Sequence, residues 1–325
     1  MSLLIIVFIT FILELVYFRI ADRFNIIDKP NQRSSHTQIT LRGGGIIFLL
    51  GVWLYAIFYG FHYPFFLMGL TAIAGVSFID DVKTISNRVR LVVQFIAMIL
   101  LFYQWGIVTL ASWWMVPIAL ICCVGVINAF NFLDGINGMT GLYSLAVLLP
   151  LLLFNRTIQF VDMHLLLVAI ISVGVFLFFN LRKRAKCFAG DVGAVGIAFI
   201  LLFFLGLLVI KTNDLSYLIL LGVYGVDSIL TIVHRLLLHE NIFIAHRKHA
   251  YQLLANELKI PHVVVSCIYF IIQSVVTAGF FWSGLNHWVY FVGVLVIMCL
   301  AYVLFMKKYY WMHVEYLQRS KIKGL

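Results

Sequence analysis

Acidic side chains are scarce in this chain, with 13 Asp and Glu among 325 residues, and charges of both signs together make up 11%. Soluble domains carry about 25% charged residues, so a globule surrounded by water is excluded. Cysteine is scarce too. Of five, Cys122 and Cys123 adjoin inside an apolar run and none stands in CxxC or Cys/His spacing, which points away from a disulfide framework and from zinc. No basic stretch precedes the first apolar run and no small-x-small site follows it, so the N-terminal segment is expected to be a span rather than a cleaved signal. An internal repeat is missing as well, which speaks against an inverted-repeat transporter.

Apolar sequence is what the chain has in quantity: 63% hydrophobic, with a mean hydropathy of +1.05. Eleven apolar stretches centre on residues 2–18, 44–60, 64–79, 91–107, 112–130, 139–154, 163–179, 194–210, 215–233, 262–281 and 287–306, the shortest at 64–79 and 139–154. Each approaches the ~20 residues a helix needs to cross hydrocarbon. The expected fold is therefore all-α: a polytopic integral membrane protein of about eleven transmembrane helices, one domain over 1–325. Of 23 Lys and Arg, 21 fall in 19–42, 83–90, 182–186, 235–259 and 307–323, all on one side if eleven spans alternate. The positive-inside rule makes that side cytoplasmic, with the N-terminus outside and the C-terminus inside. Topology and anionic lipid headgroups account for the net charge of +10, so no nucleic-acid partner is called for.

The few acidic residues are not scattered. Asp80 and Asp81 (FIDDVK), Asp134 (NFLDGING) and Asp191 (AGDVGAVG) all stand where apolar runs stop, on the basic side. A carboxylate near hydrocarbon is costly, about 2.5–3.5 kcal/mol at a helix centre. Metal-assisted phosphate chemistry at the membrane surface offsets such a cost; solvated salt bridges at helix ends are the plainer alternative for Asp80-Asp81. Asn128, Asn131 and Asp134 recur every three residues, on one drifting helix face, and lead into Gly135, Asn137, Gly138 and Gly141. That pattern reads either as interhelical hydrogen bonding or as a site whose glycines let backbone approach a ligand. Asp191 opens a helix, where it serves as a cap or as a metal oxygen beside bound phosphate. A late basic loop carries His234, Arg235 and His239, then His246, Arg247, Lys248, His249, Tyr251 and Gln252, with Asp227 upstream to hold a basic group or satisfy a neighbouring helix. The first basic loop contains Arg33, Ser34, Ser35 and His36, and ends Arg42-Gly43-Gly44-Gly45. Those three glycines serve packing or a nucleotide contact.

FIDD, NxxNFxDGxxG, GDxG and a late HRxH loop, in this order between many spans, resemble the polyprenyl-phosphate N-acetylhexosamine-1-phosphate transferases, glycosyltransferase family 4. The RSSH, RGGG and HRxHxYQ segments are most similar to its O-antigen and capsule initiators. The resemblance implies transfer of a sugar-1-phosphate from a UDP-N-acetylhexosamine to undecaprenyl phosphate, releasing UMP and starting a lipid-linked envelope glycan such as O-antigen, lipopolysaccharide or capsule at the bacterial inner membrane. It implies Mg²⁺, or Mn²⁺ in its place, on Asp191 and Asn131, with Asp80, Asp81 and Asp134 as the catalytic carboxylates. Arg90, His36, Asn128, Asn137, His246, Arg247 and His249 would meet the substrates, Asn137 near the uracil. The sequence departs from the family pattern at Ala194, usually Ser, at Asn137, usually Asp, and at Tyr251 and Gln252 in place of late histidines. Because a phosphate monoester has its second pKa near ~6, a base has little to remove from the acceptor, and Asp81 is expected to position metal or basic groups.

Three rivals are weighed. A transporter predicts ionisable residues at mid-depth, for which only Glu14 and Asp227 qualify. A CDP-alcohol phosphotransferase needs the Arg of a DGxxAR signature, which DGINGMTG lacks. A silent homologue of the same fold would fit Ala194. The sugar, the glycan pathway and the oligomeric state, a dimer among the options, are not encoded in any motif.

Overall fold

In hydrocarbon a backbone must satisfy its own N–H and C=O groups, so long apolar runs fold as helices. The computed structural model describes residues 2–30, 35, 38–107, 114–242, 244 and 246–322; His36, with Asn31, Arg33 and Ser34, lies outside them. In chain order the helices are α1 (Ser2–Arg23), α2 (Ile46–Tyr59), α3 (Pro64–Val82), α4 (Asn87–Trp105), α5 (Met115–Leu133), α6 (Met139–Ile158), α7 (Met163–Asn180), α8 (Gly190–Thr212), α9 (Gly222–Leu237), α10 (Ala250–Gln252), α11 (His262–Trp282) and α12 (His287–Ile322). A 3₁₀ turn, Leu215–Leu221, leads into α9, and α10 runs on into a π-helical turn, Leu253–Glu257.

Ten helices among the described residues are long and apolar enough to cross a membrane, and α2 is a shorter eleventh. The chain is a multi-pass, all-α membrane protein. The stretches that read as shortest, 64–79 and 139–154, fold as helices of 19 and 20 residues. The short one is instead α2, 14 residues, or about 21 Å against a hydrocarbon core of about 30 Å. The chain before it, Gly43–Gly45, is spent on contacts described below. At the other extreme α12 has 36 residues and is about 54 Å long, so its second half runs past the hydrocarbon.

A helix apolar on all sides belongs in the interior, and α8 is that helix: residues 192–205 are buried throughout. It packs against α2, α3, α5 and α6, with Phe66 of α3 stacked on Phe203 at 4.0 Å between ring centroids. The start of α8, and Asp191 on it, is thereby fixed from several sides. The only paired strands among the described residues, β1 (Ile27–Asp28) and β2 (Thr40–Leu41), are antiparallel with Ile27 opposite Leu41.

Candidate active site

Five connections on the basic face converge on the start of α8. The β2 strand carries the first loop there: the Phe188 N–H donates to the Leu41 carbonyl (2.8 Å), Gly44 N–H to Phe188 (2.9 Å) and Gly45 N–H to Ala189 (3.0 Å). This approach requires glycine. A Cβ on Gly45 would stand 2.2 Å from the Gly193 Cα, and Gly190, at φ +71°, would press a Cβ on the Asp81 carboxylate. The triple glycine therefore packs closely against the start of α8, the packing alternative of the sequence reading. The glycines after Asp134 make room for side chains instead, since Cβ atoms on Gly135, Gly138 and Gly141 would strike the side chains of Tyr251, Leu181 and Leu177.

Asp81 closes α3 with its side chain fully buried. Its carboxylate accepts the first free N–H groups of α8, from Asp191 (2.9 Å) and Val192 (3.0 Å), and the Arg42 Nε (2.6 Å). Arg42 also reaches Asp191 Oδ1 through Nη2 at 2.9 Å. From the other side Arg90 donates Nη2 to Asp191 Oδ2 and Nη1 to Asp80 Oδ2, both at 2.8 Å. The second oxygen of Asp80 accepts the Ile85 N–H at 2.6 Å. The result is one ionic chain, Asp81–Arg42–Asp191–Arg90–Asp80, in which each arginine bridges two carboxylates. Arg42 is a member that the motif reading did not count as a site residue.

Asp134 follows α5, half-buried, and accepts the Thr140 hydroxyl at 2.5 Å. Burial pushes its carboxyl up to about 7, against the pull of Thr140 and with the Asp191 charge adding to the rise. Asn137 donates Nδ2 to the Arg182 carbonyl (2.8 Å), and Asn180 ties the Gly138 N–H (2.7 Å) to the Cys187 carbonyl (2.8 Å). These bonds bring the α5–α6 turn onto the α7–α8 loop. Between them opens a cavity of about 890 Å³ lined by Thr40, Asn137, Arg182, Lys183, Arg184 and Phe188 among others.

Asn128 turns inward instead, donating to Gln94 of α4 (3.1 Å) and to Val124 (2.8 Å), the interhelical alternative of the sequence reading. Asn131 is half-buried on the last turn of α5. Ala194 is fully buried in α8.

The late loop returns to α5 through the Tyr251 hydroxyl, which donates to the Phe132 carbonyl at 2.9 Å. Asp227 anchors it, accepting the Ala250 N–H (3.0 Å), His249 Nδ1 (3.3 Å) and the Tyr269 hydroxyl (2.6 Å). Both alternatives for Asp227 thus hold at once, a basic group and a neighbouring helix. Arg247 pairs with Glu257 (3.0 Å) under the Tyr316 ring, a framework position. Lys248 pairs with Glu240, and Arg235 grips the loop carbonyls of Asn241, Ile242 and Ile244. His246 and His249 lie with ring centroids 4.9 Å apart beside Phe132, and His246 Nδ1 and His249 Nε2 are buried without a partner. Unpaired buried nitrogens are costly and call for a ligand-facing explanation.

No group of three or more His, Cys, Asp or Glu stands together as a metal cage among the described residues. Mg²⁺ does not need one, since it takes one or two carboxylates and leaves its other positions to phosphates and water. Asp191 is the carboxylate at the centre of the ionic chain, and a cation there would take the place of one of the two guanidiniums that meet on its oxygens.

The pattern of glycosyl transferase family 4 matches residues 63–212, from α3 through α8. A probable undecaprenyl-phosphate N-acetylglucosaminyl 1-phosphate transferase of Bacillus subtilis is 26% identical over 270 residues, 76% of this chain and 74% of the relative. An undecaprenyl-phosphate alpha-N-acetylglucosaminyl 1-phosphate transferase of Thermotoga maritima is 26% identical over 301 residues, 90% of this chain and 92% of the relative. A phospho-N-acetylmuramoyl-pentapeptide-transferase of Thermotoga neapolitana is 32% identical over 176 residues, 52% of this chain and 55% of the relative. The matched family segment contains Asp80, Asp81, Arg90, Asn128, Asn131, Asp134, Asn137 and Asp191, whereas Arg42 and the late loop fall outside it.

Proposed function

We propose that this protein transfers an N-acetylhexosamine-1-phosphate from a UDP-sugar to undecaprenyl phosphate at the bacterial inner membrane and so begins a lipid-linked envelope glycan. The observation that carries the reading is the ionic chain through Asp191, next to a cavity of about 890 Å³ walled by Asn137 and three basic residues. Nucleotide-sized ligands fit cavities of ~300–1,000 Å³. Thr40 and Phe188, which line it, stand two and three residues from Arg42 and Asp191, so a nucleotide in the cavity can extend its diphosphate to the arginines.

In this reading an oxygen of the lipid phosphate bonds to the sugar-bearing phosphorus. The bridging P–O bond breaks and UMP leaves with the electron pair. Such a transfer asks the protein to align the groups and neutralise charge. Arg42 and Arg90 supply charge where the diphosphate arrives, and His246 and His249 offer unpaired nitrogens by Phe132 at the end of α5. Asp191, with Asn131 as the second oxygen donor, would hold Mg²⁺, which would supply two positive charges to offset those of the diphosphate.

The test is a UMP-release assay on purified protein with undecaprenyl phosphate and a panel of UDP-N-acetylhexosamines, with and without chelator. UMP should appear only with both substrates and disappear with the chelator. No UMP from any donor in the panel would refute the assignment.

A further inference from the structure

Two of the three carboxylates in the ionic chain are adjacent in sequence, yet the structure gives them different work. Asp80 lies at the outer end of the chain, on Arg90 and the Ile85 N–H. Asp81 is enclosed. Both its oxygens point at the first turn of α8, and its third partner, Arg42, is the one that crosses to Asp191. An α-helix leaves its first N–H groups without intrahelical partners, and a carboxylate beside them is favoured by the helix dipole as well. Usually that carboxylate comes from the residue just before the helix. Here the preceding residue is Ala189, which offers no side-chain cap, and a carboxylate from α3 does the work across the bundle.

We propose that Asp81 and Arg42 are a positioning pair for Asp191, and that Asp81 neither contacts substrate nor carries its proton. This deepens, and rests on, the transferase reading above. Asp81 fixes Asp191 twice: through the Asp191 backbone N–H, and through Arg42, which shares Oδ1 of both carboxylates. Gly190 is part of the device, because a side chain there would displace the Asp81 carboxylate. The first loop supplies Arg42 at a set height, since Arg42 N–H is bonded to the Ile26 carbonyl (3.0 Å) and its own carbonyl to the Tyr17 hydroxyl (2.5 Å). A residue held in this way acts on the reaction by aiming a neighbour, and losing it should blur that aim.

The experiment compares wild type, Asp81→Asn and Arg42→Lys, which keeps the positive charge and loses the planar fork that bridges the two carboxylates. In substrate-free, metal-free protein, amide exchange of Asp191 and Val192 should quicken by about tenfold or more in Asp81→Asn, the loss of roughly 1.4 kcal/mol of protection. Manganese binding, read by electron paramagnetic resonance without substrate, and half-saturating Mg²⁺ in the UMP assay should weaken together by about tenfold in both variants. A purely architectural cap would speed exchange and leave both metal readouts at wild-type values, and that result overturns the proposal. So does the signature of a general base: unchanged exchange, unchanged metal binding, a large fall in kcat and recovery at a pH of about 9. Should Asp81→Asn fail to fold, Arg42→Lys, which leaves both backbone bonds of Asp81 in place, decides through its metal readouts alone. Wild-type protein that makes no UMP would instead defeat the reaction assignment, and the exchange and manganese arms would still read.

Discussion

Replacing Gly45 by Ala places a methyl group where two backbones touch. Its Cβ would stand 2.2 Å from the Gly193 Cα and 2.9 Å from the Ala189 carbonyl oxygen. Carbon atoms rest about 3.5–4.0 Å apart, so the start of α2 must retreat from α8 by more than about 1 Å. Overpacking of this kind costs about 1–3 kcal/mol, and loss of the Gly45–Ala189 hydrogen bond, 3.0 Å long, adds about 1 kcal/mol. The expected destabilisation is about 2–4 kcal/mol. Arg42 precedes the displaced segment, and a shift of about 1 Å in a positioned group costs about 10²-fold in rate. Thermal unfolding in detergent, run beside the UMP assay, measures both. Gly174→Ala on α7 is the control, because nothing lies within 4 Å of a Cβ there. If Gly45→Ala unfolds at the wild-type temperature and turns over normally, the close contact that brings the first loop to Asp191 does not exist and the site as described fails.

Arg90→Gln removes two charge-bearing bonds, one each to Asp80 and Asp191; kcat/KM should fall by about 10²-fold, mostly through KM of the donor, and a loss confined to kcat would assign Arg90 another role. Asp134, whose carboxyl ionises as pH rises through about 7, should give the wild-type rate profile an inflection there that Asp134→Asn lacks; an identical inflection in the variant rules it out. On the opposite face, Tyr55 donates to Asp162 at 2.7 Å. Burial acts upward on Asp162, but the bonds from Tyr55 and His164 outweigh it and hold the carboxyl below its usual range. A depressed acid stabilises the fold above its unfolded value, near ~3.9, and loses that contribution as pH falls through the folded value. Tyr55→Phe should therefore cost about 1–2 kcal/mol at neutral pH, and its melting curve should converge on wild type in acid.

The helices were legible because hydrocarbon permits little else, and the partition of Lys and Arg showed which ends would share a face. Asp81 and Asp191 could be paired on those grounds alone: both end apolar runs on the basic side. Their partners could not. Arg42 stands before three glycines, and its reach to Asp81 and Asp191 depends on β2 docking against residues 187–189, a contact between segments about 145 residues apart. The same glycines hid the shortness of α2, since a run of small apolar residues looks like the beginning of a span. Asn128 illustrates a different limit. A step of three puts it on the face of Asn131, but whether that face meets a ligand or another helix depends on what stands opposite, and Gln94 of α4 stands there. In the late loop the basic residues were visible, but nothing in the sequence paired them with Glu240 and Glu257. Folding turned Arg247 and Lys248 onto them and left the two imidazoles with open nitrogens.

The charge count of the ionic chain explains why so costly an arrangement sits at the edge of a membrane. Three carboxylates and two guanidiniums sum to −1. A set built only to hold helices together would do better neutral, because an uncompensated charge near hydrocarbon is expensive. In the proposed reaction a divalent cation would overturn that surplus, taking the sum to +1 and making the same residues attractive to a diphosphate. Arginines suit this exchange. They remain charged at any working pH, and their planar fork binds phosphate as readily as carboxylate. Two carboxylates at the ends keep them aimed while Asp191, at the centre, is the one shared by both. With the proposed cation the sum would be +1, and a diphosphate carrying two negative charges would return it to −1, so on this count metal and anionic substrate would favour each other's binding.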